Sequence, residues 1–403
     1  MATVFLIIIY LAFISLGLPD SMLGAAWPMM RLDYGAPVDT AGLLSMIVVA
    51  GTIISSLASS SVLKRFGTGM VTFISVAVTA LALLGFSYSS SVVWLAVLAL
   101  PLGLGAGSID TGLNNYVATH YKAHHMSWLH CFWGVGAMLG PIIMSRYIAG
   151  GESWREGYFM VSMIQFALVV LLFASLPLWK RAGKSSSPQA GEKVQEGLVA
   201  VPATNASSGN VLRIKGVKLA MITFLFYCGV EATVGLWGSS YLVNVKDVSP
   251  ATAAGWVSLY YGGITAGRLI TGFITFRFSN RALIRGGLLI SLLGALVLAM
   301  PLPAVYSLVA FILIGLGSAP IFPCMLHETP ARFGKENSQK IMGYQMALAY
   351  TGGAFLPPLL GWVAARSTFM ILPLVMIGYI IVMMLSSEQI NSMMKKRKEE
   401  VSL

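Results

Sequence analysis

Apolar residues fall in long unbroken runs, not in the alternation of a strand or the one-sided stripe of a soluble helix. Twelve runs follow one another: Val4–Met30, Thr40–Leu63, Met70–Tyr88, Val92–Ala118, Trp128–Tyr147, Tyr158–Trp179, Val217–Val243, Thr252–Phe276, Ala282–Met300, Val305–Met325, Ile341–Ala364 and Phe369–Leu385. They are close to the roughly 17–25 residues that carry a helix across a bilayer. Helices and closed barrels are the two forms that satisfy every backbone group in hydrocarbon. No stretch has the roughly ten-residue alternation of a barrel strand. The pattern therefore predicts an all-α integral membrane protein with twelve transmembrane helices. The first run lacks a basic leading segment and is long for a signal peptide's apolar core, so it reads as a retained helix.

Composition agrees. Hydrophobic residues make up 57% and charged residues 10% of the chain, whereas a soluble domain needs about a quarter charged. Almost no soluble mass remains to hold an active site, and no nucleophile motif or cofactor fingerprint is present, so neither an enzyme nor a bound cofactor is expected. The net charge of +11 suggests nucleic acid until its distribution is followed. Lys64, Arg65, Lys122, the cluster from Lys180 to Lys218, Arg277, Arg281, Arg285, Arg332, Lys335, Lys340 and the tail "KKRK" fall on one side of a twelve-span weave. Arg31, Arg146, Arg155, Lys246 and Arg366 fall on the other. Positive charge marks the cytoplasmic face, which puts both termini on the cytoplasmic side. The expected location is a bacterial cell membrane, and the expected partner is the lipid bilayer, not nucleic acid. Cys131, Cys228 and Cys324 lie in or beside apolar runs and suit buried thiols.

Between Arg181 and Gly216 the chain turns polar, with "GKSSSPQAGEK" and "PATNASSGN". This length and composition predict a flexible linker. The expected organisation is a six-helix bundle over residues 1–180, a cytoplasmic linker over 181–216, a second bundle over 217–387 and a basic cytoplasmic tail over 388–403. The "GKS" in the linker lacks the first glycine of a phosphate loop, its place taken by Leu178. The glycosylation-like "NAS" at Asn205 falls on the cytoplasmic side.

The halves repeat. Thr40, Ala41, Gly51 and Arg65 match Thr252, Ala253, Gly263 and Arg277 at a shift of 212, as do Gly103 and Gly105 with Gly315 and Gly317. "GAMLGP" and "GAFLPP" pair Gly136 with Gly353 at a shift of 217, and Asp20 and Gly24 fall on Glu231 and Gly235 at 211. Two same-orientation six-helix halves joined by a linker resemble the major facilitator superfamily. That resemblance implies two bundles related by a pseudo-two-fold axis, rocking about a central cavity. The family's G-x-x-x-D-R-x-G loop appears as "SSVLKRFG", keeping Arg65 and Gly67 but with Ser60 and Lys64 for the glycine and the acid. The second copy, "GFITFRFS", keeps Gly272 and Arg277 and has Phe276 for the acid.

A carboxylate at the bilayer centre costs about 2.5–3.5 kcal/mol on insertion scales, so each needs a partner, a proton or a cavity. Asp20, Asp110, Glu231 and, near a helix end, Glu328 are the candidates. Gly103, Gly107, Asp110 and Asn114 share one face of the fourth span. That face reads either as a ligand site or as a polar stripe gluing two helices. Counting outward from the loop near Lys122 puts His130 at the depth of Asn114 and Trp133 near Asp110. An acid, an amide, an imidazole and an indole suit a polyhydroxylated ligand, whose ring stacks on the indole while the polar groups hold its hydroxyls. His130 reads equally as a satisfied histidine at a helix end, and Trp133 as a packing indole. In the second half Glu231, Gln345 and Tyr350 are candidates for binding, and Arg268 reads as structural. His120 and His124 have a zinc-like spacing, but loop histidines are commonly solvated, so no metal is expected.

The run "LHCFWGVGAMLGP" is similar to the L-H-x-x-F-G-x-G-A-x-x-x-P pattern of the branch holding fucose–proton symporters and sodium-linked glucose transporters. That branch carries acids on its first and fourth helices, which map onto Asp20 and Asp110. The resemblance implies that one acid couples protons to transport while the other contacts substrate or assists the proton. The expected protein is a monomeric secondary transporter that imports a monosaccharide with protons. The alternatives are sodium coupling, a proton-driven exporter of drugs or metabolites, and a non-transporting receptor or lipid translocase of the same fold.

Overall fold

The computed structural model describes residues 2–121, 123–185, 211–275 and 277–402. Most of the linker, with Asn205, and the positions Lys122 and Phe276 lie outside the described residues. The first part of the chain forms α1 (Ala2–Asp20), α2 (Met22–Asp33), α3 (Thr40–Phe66), α4 (Thr68–Ser87), α5 (Val92–His120), α6 (Ala123–Ala149) and α7 (Trp154–Ser185). The second part forms α8 (Val217–Val245), α9 (Pro250–Ile274), α10 (Asn280–Ala299), α11 (Val305–Ser318), α12 (Ile321–Phe333), α13 (Lys335–Arg366) and α14 (Leu372–Ser402).

The fold is all-α, with twelve spans in two six-helix bundles. Eleven segments among the described residues are long and apolar enough to cross a membrane. The remaining span is α9, which runs for 25 residues; its Gly, Thr and Tyr content dilutes its hydropathy without shortening it. Two spans are each built from two helices. The first breaks at Ser21 between α1 and α2, and the tenth breaks at Ala319 and Pro320 between α11 and α12. Large apolar side chains such as Leu57 and Phe273 are 78% and 70% exposed, a surface that suits lipid. The helices cluster into two compact units: α1–α7 with Ser249–Ser258, and the rest of α8–α14.

The sequence repeat is a packing repeat. In the first unit α5 lies so close to α3 that a Cβ on Gly51 would stand 2.7 Å from the Leu100 carbonyl and 3.0 Å from the Leu104 nitrogen. In the second unit a Cβ on Gly263 would stand 2.8 Å from the Ile312 carbonyl and 3.1 Å from the Leu316 nitrogen. Every residue in that contact is shifted by the same 212 positions. Gly103 and Gly315 complete the match, seated on the carbonyls of Val48 and Tyr260.

The other repeat needs a correction of one residue. Gly136 on α6 packs on the Ile14 carbonyl of α1, and its counterpart on the Leu225 carbonyl of α8 is Gly352, not Gly353. A Cβ on Gly353 would meet only the Ala232 side chain, at 3.9 Å. The glycine that must lack a side chain is the one facing backbone, and sequence matching alone does not say which of two neighbours that is. Gly67, retained from the loop motif, takes φ +75° and turns α3 directly into α4. That left-handed conformation favours glycine.

Candidate functional site

Asp20 is the last residue of α1, where the first span breaks, and its side chain is exposed. Trp133 on α6 donates from Nε1 to Asp20 Oδ2 at 2.6 Å. Glycines on both helices make this reach possible. Gly17 presses on the Trp133 carbonyl, Gly136 on the Ile14 carbonyl and Gly140 on the Leu18 carbonyl. With no side chains to space the backbones, the indole arrives level with the carboxylate. A donor aimed at a carboxylate gives one of the stronger hydrogen bonds, because one partner carries full charge.

Two prolines flank this seam inside their helices, Pro19 in α1 and Pro141 in α6. Proline has no N–H, so the carbonyl four residues earlier loses its helical partner. Both orphaned carbonyls have found side chains from other elements. Gln165 on α7 donates from Nε2 to the Ser15 carbonyl at 2.8 Å. Ser21 donates from Oγ to the Ala137 carbonyl at 2.7 Å. The sequence reading missed Ser21 and Gln165; the prolines signal the orphaned acceptors, but which side chain answers them depends on helix packing.

On α5, Asn114 donates from Nδ2 to Asp110 Oδ1 at 2.8 Å, one turn away. The amide's other end, Asn114 Oδ1, is buried and has no hydrogen-bond partner among the described residues. Gly103 and Gly107, on the same face, seat α5 on the α3 carbonyls of Val48 and Thr52. The stripe therefore divides its work, with glycines gluing helices and the polar pair lying beyond them. His130 is half-buried, its ring edge-on to Phe13 at 5.9 Å between centroids.

The second unit treats its acid differently. Glu231 on α8 lies 3.9 Å from the Arg268 guanidinium on α9, and Arg268 donates from Nη2 to the Tyr227 hydroxyl at 3.4 Å. Glu231 thus faces a fixed cation, where Asp20 faces a neutral indole donor. Gln345 on α13 is fully buried and accepts from Thr329 on α12 at 3.2 Å, a contact that holds it in a helix–helix seam. Tyr350 is half-buried on α13. His120 stacks on Tyr116 at 4.1 Å and its Nδ1 lies 2.9 Å from that residue's carbonyl. Among the described residues no group of three or more His, Cys, Asp or Glu is placed to hold a metal ion.

Two bundles of helices long and apolar enough to cross a membrane define a polytopic membrane protein. The chain matches the sequence model of the Major Facilitator Superfamily over residues 9–351, with a second match over 219–401, and belongs to that family. The glucose/mannose transporter GlcP of Bacillus subtilis is 23% identical over 370 residues, covering 90% of this chain and 88% of that one. Bypass of stop codon protein 6 of Saccharomyces cerevisiae is 26% identical over 282 residues, which is 66% of this chain and 56% of that protein. The chain thus spans little more than half the length of the yeast relative. Among solved structures, the family member FucP in the outward conformation superposes with a TM-score of 0.64 at 13% identity, covering 96% of this chain and 98% of that one. That likeness is one of fold. The family match and the glucose/mannose transporter relative place this chain among transporters, not enzymes.

Proposed function

We propose that this chain is a secondary active transporter that carries a small polyhydroxylated solute, a monosaccharide, together with protons by alternating access. The observation that carries the reading is the bond from Trp133 Nε1 to Asp20 Oδ2, an aromatic platform tied to a membrane carboxylate. An indole face stacks on a sugar ring. Asp110, and the unmet acceptor Asn114 Oδ1, suit ligand hydroxyls. His130, on the same helix as Trp133, is proposed as a further contact in the first unit, and Glu231, Gln345 and Tyr350 are proposed as binding residues of the second unit taken by itself. Asp20 and Asp110 are proposed as the proton-coupling groups: a carboxylate that neutralises on one side of the membrane removes the cost of carrying charge through hydrocarbon. The named glucose/mannose transporter among the relatives supports the sugar class.

The charge distribution supports an orientation. The cation-rich loops and tail are proposed to face the cytoplasm of a bacterial cell, with residues 181–216 linking the two bundles and 388–403 forming the tail. The working unit is proposed to be a monomer.

The deciding experiment is uptake of radiolabelled D-glucose into proteoliposomes holding the full chain. An inward proton gradient should drive accumulation, a sodium gradient should not, and Asp20→Asn should abolish the gradient-driven part. Accumulation driven by sodium alone would replace the proton. Absence of glucose uptake alongside expulsion of a lipophilic cation would overturn import.

A further inference from the structure

Asp20 and Trp133 belong to two helices that each contain a proline, and each proline removes the backbone donor for a carbonyl beside the seam. Pro19 orphans the Ser15 carbonyl and Pro141 orphans the Ala137 carbonyl. A helix-interior proline left uncompensated destabilises the helix and kinks the chain at that point. Here each lost bond is replaced from outside the helix. Gln165 reaches Ser15 at 2.8 Å and Ser21 reaches Ala137 at 2.7 Å. Gln165 is fully buried and so is its neighbour Thr79, which donates to Gln165 Oε1 at 2.9 Å. Accepting from Thr79 at its oxygen turns the amide so that its N–H end faces Ser15. The result is a relay from α4 through α7 to the α1 carbonyl one turn before Pro19.

The geometry points to Gln165 and Ser21 as positioning residues for Asp20: they fix the two proline bends so that the carboxylate and the indole meet. They act on backbone carbonyls at the two proline bends, Ser15 and Ala137. Their leverage comes from position: Ser15 and Ser21 bracket Asp20 on its own chain, and Ala137 is one helical turn from Trp133. A 2.6 Å hydrogen bond tolerates little displacement before it weakens. Release of either clamp lets the bend relax and changes the proton affinity of the Asp20–Trp133 pair. This inference rests on the reading of Asp20 as a proton-coupling group, and its test below needs no substrate.

The test is a pH titration of Trp133 emission, taken as the difference between the full-length protein in lipid nanodiscs and its Trp133→Phe variant. Gln165→Met keeps the shape and deletes the donor. It should displace the midpoint by about half a pH unit or more, a roughly threefold change in proton affinity. Pro19→Ala returns a backbone N–H to the Ser15 carbonyl, so the double variant Pro19→Ala/Gln165→Met should restore the original midpoint. If Gln165→Met does not fold, Ser21→Ala should displace the midpoint in the same way, with rescue by Pro141→Ala. An unmoved midpoint overturns the inference. So does a displacement that the alanine fails to rescue, because that assigns Gln165 to packing alone. A transition that survives Asp20→Asn also overturns it, since the indole then reports another group. Absence of proton-driven glucose uptake by the unaltered protein sinks the transport reading and leaves this titration standing.

Discussion

Trp133 and Asp20 share one 2.6 Å hydrogen bond across the α1–α6 seam, so neither engages a ligand or a proton without altering the other. Trp133→Phe keeps an aromatic face for stacking but loses the N–H. We expect it to retain glucose uptake while its pH profile moves, and Trp133→Ala to lose uptake tenfold or more, as initial rates measured from pH 5 to 8 would show. A phenylalanine variant with an unmoved profile would separate the indole from coupling.

Glu231 and Arg268 are largely buried, with side chains 18% and 13% exposed. Removing one partner of such a pair leaves an uncompensated charge, at about 3–5 kcal/mol. Arg268→Gln should therefore lower the melting temperature sharply in detergent. The double variant Glu231→Gln/Arg268→Gln should recover most of the loss, because no lone charge remains. If the double variant melts as low as the single one, the cost lies in packing and the pair is not what matters.

The spans and the internal repeat were readable in the sequence because both depend on local properties, apolar run length and glycine spacing. Gly51 and Gly263 announced their contacts at a constant shift. What stayed hidden was direction around each helix axis. Counting from the loop placed Trp133 near the depth of Asp110, but its N–H goes to Asp20, since the azimuth is set by where Gly17, Gly136 and Gly140 let two backbones touch. The pairing of Gln345 with Thr329 across the α12–α13 seam likewise carries no signal in the sequence. Arg268 reads as structural in the sequence, and the structure sets it beside an acid on a different helix, Glu231. Ser21 and Gln165 carried no pattern of their own; the cue was Pro19 and Pro141, each four residues past a carbonyl that had to be satisfied.

The glycine repeat makes a paired prediction. Gly103→Ala and Gly315→Ala each place a methyl on the facing carbonyl, of Val48 and of Tyr260. Overpacking of this kind costs about 1–3 kcal/mol. Both should reduce folded yield on size exclusion to a similar degree, since the contacts are equivalent. Gly378→Ala, which meets nothing within 4 Å, is the control and should leave yield unchanged.

Two ion pairs in the second unit differ in burial. Glu328 on α12 accepts from Arg332 at 3.1 Å and lies 3.6 Å from Arg281. The Arg332 side chain is 2% exposed, and its further contact is Asn391 on α14 at 3.3 Å. Arg285 and Glu388 form a shorter pair, at 2.7 Å and 2.5 Å, but with side chains 59% and 39% exposed. Distance alone would rank the second pair as the stronger. Burial reverses that order, because water and salt screen an exposed pair whatever its geometry. Glu328→Gln should therefore destabilise by about 3–5 kcal/mol, since it strands the buried Arg332 charge. Glu388→Gln should leave the melting temperature nearly unchanged. Raising the salt concentration should erase what small effect Glu388→Gln has and preserve that of Glu328→Gln; equal losses in the two variants would show that burial does not set the order here.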